Sequence, residues 1–102
     1  MSQAVHLCTR AELPGEGQAK EFSIGDTVLC VATVGGKPLA INNVCPHHGG
    51  PLAEGTLEGG KVVCPWHQWE IDLTTGEAMQ SPGTKTEVYA ITVVGDDVQV
   101  TI

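Results

Sequence analysis

The stretch Cys45-Pro46-His47-His48-Gly49-Gly50-Pro51-Leu52 has a shorter echo in Cys64-Pro65-Trp66-His67-Gln68-Trp69. A chain of 102 residues with only four Cys and four His therefore gathers Cys45, Cys64, His47, His48 and His67 into two proline-marked segments. Thiolates and imidazoles are donors for borderline and soft transition metals, so a bound ion is the simplest reason for the pattern. Each segment is preceded by apolar, β-branched sequence. Val28-Leu29-Cys30-Val31-Ala32-Thr33-Val34, the turn Gly35-Gly36-Lys37 and Pro38-Leu39-Ala40-Ile41-Asn42-Asn43-Val44 read as a hairpin that runs straight into Cys45. The turn Glu58-Gly59-Gly60-Lys61 and Val62-Val63 lead in the same way into Cys64.

The periodicity stays that of strands over the rest of the chain. Glu70-Ile71-Asp72-Leu73, the turn Thr74-Thr75-Gly76 and Glu77-Ala78-Met79-Gln80 follow the second segment. Val88-Tyr89-Ala90-Ile91-Thr92-Val93-Val94, the turn Gly95-Asp96-Asp97 and Val98-Gln99-Val100-Thr101-Ile102 close with another hairpin. Thr9 followed by Glu12 caps a single helical turn, which Pro14 and Gly15 stop. The expectation is a single all-β domain over 1–102 with little or no helix, the candidate ligands lying on two loops within about 43–69. The core has to come from Val, Ile, Leu and Ala, since the aromatics are two Trp, one Tyr and one Phe.

Twelve acidic residues against five basic ones give a formal charge of −7, with no run of Lys or Arg. That balance argues against nucleic acid and against an anionic membrane surface, and favours a partner with a basic face. No apolar run approaches a membrane span, and Met1–Arg10 has neither a basic n-region nor an apolar h-region, so the expected location is cytoplasmic. Thiols stay reduced there, and cysteines at ligand spacing are read as metal-binding before disulfide-forming. Cys8 and Cys30 stand apart in apolar contexts and read as plain buried thiols.

A Cys2His2 set admits tetrahedral zinc or an iron–sulfur centre of mixed ligation. Zinc fingers place two Cys close together and two His on a helix, whereas here each loop supplies Cys and His together. One Cys and one His from each of two similar loops let both thiolates meet one metal and both imidazoles a second. A zinc-stabilised binding module stays open as a separate reading; it predicts a colourless protein.

Cys45-Pro46-His47 and Cys64-Pro65-Trp66-His67, separated by residues 48–63, resemble the C-x-H and C-x-x-H pattern of the Rieske [2Fe–2S] family. The resemblance implies an antiparallel β-sandwich with a two-loop cluster-binding subdomain. It implies one [2Fe–2S] cluster, with Cys45 and Cys64 on the buried iron and His47 and His67 on the outer one. His48 also completes a C-x-x-H with Cys45; the family pattern selects His47 and leaves His48 a polar neighbour. Where some members carry a cysteine bridge between the loops this chain has Gly50 and Trp66. Where high-potential members carry Ser and Tyr after the second ligand loop it has Trp69 and Ile71. Ser81-Pro82-Gly83 resembles the family's third loop. Gly49, Gly50 and Gly55 read individually as turn formers, and together as a way for backbone N–H groups to approach a cluster. One of Trp66 and Trp69 is expected in the core and the other over the cluster.

No nucleophile motif, phosphate loop, flavin or nicotinamide fingerprint accompanies the constellation. The resemblance implies an electron-transfer protein rather than an enzyme: a soluble Rieske ferredoxin between a flavin-dependent reductase and a Rieske-type non-haem iron oxygenase. A second family likeness, carried by Cys45–Leu52 and by Ile71-Asp72-Leu73-Thr74-Thr75-Gly76-Glu77, is to the small subunit of cytosolic NAD(P)H nitrite reductases.

Overall fold

A computed structural model describes residues 3–45, 49–66 and 68–102. The strands are β1 (Ala4–Thr9), β2 (Ala19–Ile24), β3 (Thr27–Val34), β4 (Lys37–Asn42), β5 (Thr56–Glu58), β6 (Lys61–Val63), β7 (Glu70–Asp72), β8 (Val88–Val94) and β9 (Asp97–Thr101). Six form one sheet in the order β1-β9-β8-β4-β3-β2, and three form a second in the order β5-β6-β7. Every strand pairing is antiparallel. The helical content of the described residues is two single 3-10 turns, Arg10–Glu12 and Leu52–Glu54.

β3 organises the whole. Leu29, Cys30, Val31 and Ala32 are all buried, so this strand is covered on both faces, as its unbroken apolar run demands. Leu29 and Val31 join Ala40 and Val100 in one core, lined by Val5, Leu7, Phe22, Ile24, Tyr89 and Ile91 from both halves of the long sheet. That sheet therefore folds over on itself as a sandwich. Cys30 and Ala32 face the other way, with Ile41, into a second core shared with Cys45, Leu52, Val62, Cys64, Ile71, Leu73 and Ala78. The two-sided strand thus joins the sandwich to the small sheet that carries the candidate ligands.

The expected hairpins are present, with turns one residue tighter than read. Lys37 pairs with Val34 and Asp97 with Val94, so both belong to strands. Gly35 and Gly36, at φ +62° and +75°, make the β3–β4 turn in two residues, which left-handed glycines permit. The Glu16 carboxylate accepts both of their N–H groups, at 2.7 and 2.6 Å. Glu77–Gln80 runs back along β7 through Asp72 N–H to Glu77 and Met79 N–H to Glu70, each 2.9 Å, without becoming a full strand. The turn at Thr9–Glu12 is formed, its Thr9 N–H donating to the Glu12 carboxylate at 2.8 Å. Strands β1 and β2 went unread in the sequence; each lies at an edge of the long sheet and mixes exposed with half-buried residues, with Cys8 of β1 buried.

Candidate metal centre

The first ligand loop is a short stem closed on itself. Asn43 C=O accepts Leu52 N–H at 2.9 Å, Val44 bridges Pro51, and Cys45 N–H donates to Gly50 C=O at 2.9 Å. Gly49 N–H returns to Cys45 C=O at 2.9 Å. The turn Leu52–Glu54, with Leu52 fully buried, seats the far end of the stem in the second core. The second loop spans β6 to β7, and its base is closed by Cys64 N–H donating to Trp69 C=O at 2.8 Å.

These two stems bring the cysteines together. Cys45 is 2% exposed and Cys64 1%; the two thiols are near enough to interact, and neither is in a disulfide. Burial pushes the Cys64 thiol up, with Cys45 adding to the effect, while a hydrogen bond from the Trp66 backbone N–H opposes it. Two thiols set side by side in an apolar core have no polar task there as free thiols. The pair suits a metal that takes both as thiolates, neutralises their charge and leaves backbone N–H groups as donors to sulfur. His47, His48 and His67 lie outside the described residues, so the candidate imidazole ligands carry no geometry here. Among the described residues, no group of three or more His, Cys, Asp and Glu side chains is gathered as a cation site.

Two of the three glycines read as turn formers are required by close approach instead. A Cβ on Gly50 would stand 2.8 Å from the Cys64 sulfur and 3.0 Å from Trp66 Cγ, and one on Gly55 would stand 1.8 Å from the Val63 carbonyl oxygen. Gly49, at φ +78°, is the turn glycine. The tryptophans divide as expected in one respect: Trp69 packs against the second core, and Trp66 is half exposed with its ring beside Gly50. Ser81–Thr84 forms a tight turn closed by Thr84 N–H to Ser81 C=O at 2.9 Å. Cys8 and Cys30 are buried thiols; burial raises both, Cys30 to about 12, so neither is a thiolate near neutral pH.

Comparison with known proteins bears on the occupant. The family model for the Rieske [2Fe-2S] domain matches residues 3–99. The chain belongs to the Rieske [2Fe–2S] family. Its cofactor is accordingly a Rieske-type [2Fe–2S] cluster, and the thiol pair fits it. Among relatives, the ferredoxin component of a naphthalene 1,2-dioxygenase system from Pseudomonas aeruginosa is 31% identical over 90 residues, covering 87% of this chain and 86% of that one. Human apoptosis-inducing factor 3 is 36% identical over 67 residues, and there this Rieske chain matches only 11% of the longer protein's length. Among solved structures, a chain from the complex of reduced oxygenase and oxidized ferredoxin in carbazole 1,9a-dioxygenase superposes with a TM-score of 0.82 at 30% identity, covering 94% of this chain and 99% of that one. A putative NADH-dependent nitrite reductase small subunit from Mycobacterium tuberculosis superposes at 0.86 with 21% identity, covering 100% of this chain and 96% of that one, which is a likeness of fold. Among the described residues no helix is long and apolar enough to cross a membrane.

Proposed function

We propose that this Rieske chain is a one-electron carrier of the ferredoxin type, a cytoplasmic protein accepting electrons from a flavin-dependent reductase and passing them to a Rieske-type non-haem iron oxygenase. One domain over 1–102 carries it, and catalysis on the organic substrate belongs to the partner. The cluster, when bound, takes up and releases one electron without making or breaking a substrate bond. The ligands in this reading are Cys45 and Cys64 as thiolates and His47 and His67 as imidazoles, with His48 outside the set.

The observation that carries the reading is the Cys45–Cys64 pair, delivered by two separate loops into one buried core. Around it the chain supplies insulation: Leu52, Val62, Ile71 and Leu73 exclude water from the thiol side. Both the naphthalene dioxygenase ferredoxin and the carbazole dioxygenase complex support the oxygenase system over the nitrite reductase alternative, because their likeness extends to sequence at 31% and 30% identity.

Stopped-flow mixing of the reduced chain with an oxygenase component tests the reading: oxidation of the chain should track reduction of the oxygenase, one electron per chain. The charge of −7 should make the rate fall as salt shortens the screening length from about 30 Å at 0.01 M to about 8 Å at 0.15 M. Transfer to an NAD(P)H nitrite reductase large subunit with none to any oxygenase would reverse the choice.

A further inference from the structure

Asn43 is 5% exposed and is the buried polar side chain among the described residues. A carboxamide is costly to bury unless its polar atoms find partners, and here the partners are specific. Asn43 N–H donates to Val28 C=O on β3 at 2.9 Å, its C=O accepts Leu52 N–H at 2.9 Å, and Oδ1 accepts Ala53 N–H at 2.7 Å. Nδ2 faces the Glu21 carboxylate on β2 at 3.5 Å. One residue therefore ties β3, β2 and the turn after the first ligand loop, two positions before Cys45. Above it the stem has the Val44–Pro51 bridge and the Cys45–Gly50 hydrogen bond, so the tether fixes both strands of the stem at its base.

We propose that Asn43 is a positioning residue for the iron site: by clamping both ends of the Cys45 loop to the central layer, it sets where Cys45 stands against Cys64. This rests on the reading of Cys45 as a ligand. An apolar residue of similar size leaves the half-buried Ala53 N–H without its acceptor and lets the stem open at its base. Asp keeps the acceptor but sets a second carboxylate near Glu21, so Asn43→Asp combined with Glu21→Gln preserves the clamp without the like charge.

The test uses the reconstituted holoprotein and three readouts: first-order bleaching of the visible absorbance under excess chelator, amide hydrogen exchange, and the EPR g values of the reduced protein. Asn43→Leu should bleach about 5–30-fold faster, the equivalent of losing one partly buried hydrogen bond of roughly 1–2 kcal/mol. Exchange should quicken at Cys45, Leu52 and Ala53 but not in the β1–β9 ladder, and the g values should shift. Asn43→Asp/Glu21→Gln should return bleaching towards the wild-type rate. Should Asn43→Leu fail to fold, Asn43→Ala is read by the same measurements. Wild-type bleaching and g values in the apolar variant would overturn the proposal, as would exchange that quickens equally across the β1–β9 ladder, which marks plain destabilisation. A wild-type chain that takes up no iron overturns the electron-carrier reading itself, whereas a coloured wild type with an indifferent Asn43 overturns only this clamp.

Discussion

Gly50 lies so close to Cys64 that a methyl group on it would stand 2.8 Å from the sulfur. The same methyl would meet Trp66 Cγ at 3.0 Å, and Gly50 C=O is already bonded to Cys45 N–H. Gly50 thus touches both cysteine-bearing loops, and Gly50→Ala should destabilise the chain by about 1–3 kcal/mol through overpacking. Trp66→Ala frees the ring side of the clash, so the double variant should be more stable than the two single effects predict by at least about 0.5 kcal/mol. Urea unfolding of the four proteins measures this coupling; strict additivity would show that ring and methyl do not meet.

Acid should loosen the end of the sandwich where β1, β9 and the first 3-10 turn meet. Glu12 is held below its ordinary 4.5 by the Thr9 backbone N–H and hydroxyl, and Asp97 below 3.8 by Gln99 and then His6. Depressed carboxylates contribute stability that is fully present above the unfolded pKa values and is lost as pH falls through the folded ones. Both groups are at the surface, so the effect of each is small. Urea midpoints should be flat from pH 7 to 5 and fall below about pH 4.5, and Glu12→Gln should make that fall shallower. An unchanged slope in Glu12→Gln would remove Glu12 from the account.

The reduction potential should lie in the lower half of the Rieske range of about −150 to +300 mV. By the family resemblance Trp69 and Ile71 take the places where high-potential members carry hydroxyls, and neither side chain has an O–H to donate. A donor to a charged acceptor is worth about 1.5–3 kcal/mol; with half of that differing between redox states, each absent bond lowers the potential by roughly 30–65 mV. Placing a tyrosine at 71 is not a clean converse test. Ile71 is fully buried beside Cys45 and Cys64, so Ile71→Tyr should cost about 1–3 kcal/mol or more by overpacking before any hydroxyl acts. A midpoint above about +150 mV by voltammetry would contradict the hydroxyl argument.

β3 was legible as a strand because Val28–Ala32 is an apolar run leading to a glycine turn; that both of its faces are covered emerged only with the packing. The hairpins were legible because their glycines mark the turns. Strands β1 and β2 were not, because edge strands with one wet face mix His6, Lys20 and Glu21 into short alternations that carry little signal. The roles of Gly50 and Gly55 were hidden for a different reason: the atoms that exclude a side chain there, Cys64 Sγ and the Val63 carbonyl, belong to the other stem and are close only once both stems have packed. Asn43 looked like one more polar residue beside Asn42; its burial follows from the turn at Leu52–Glu54, which no local pattern announced.

The most direct test of the central claim is the iron and acid-labile sulfide content of the purified chain and of Cys45→Ala, His47→Ala, His48→Ala, Cys64→Ala and His67→Ala, read with the visible spectrum. About two iron and two sulfide per chain are expected in the wild type and in His48→Ala, with the colour lost in the other four. A colourless, zinc-containing wild type, or a cluster that survives His47→Ala and is lost in His48→Ala, would contradict the assignment.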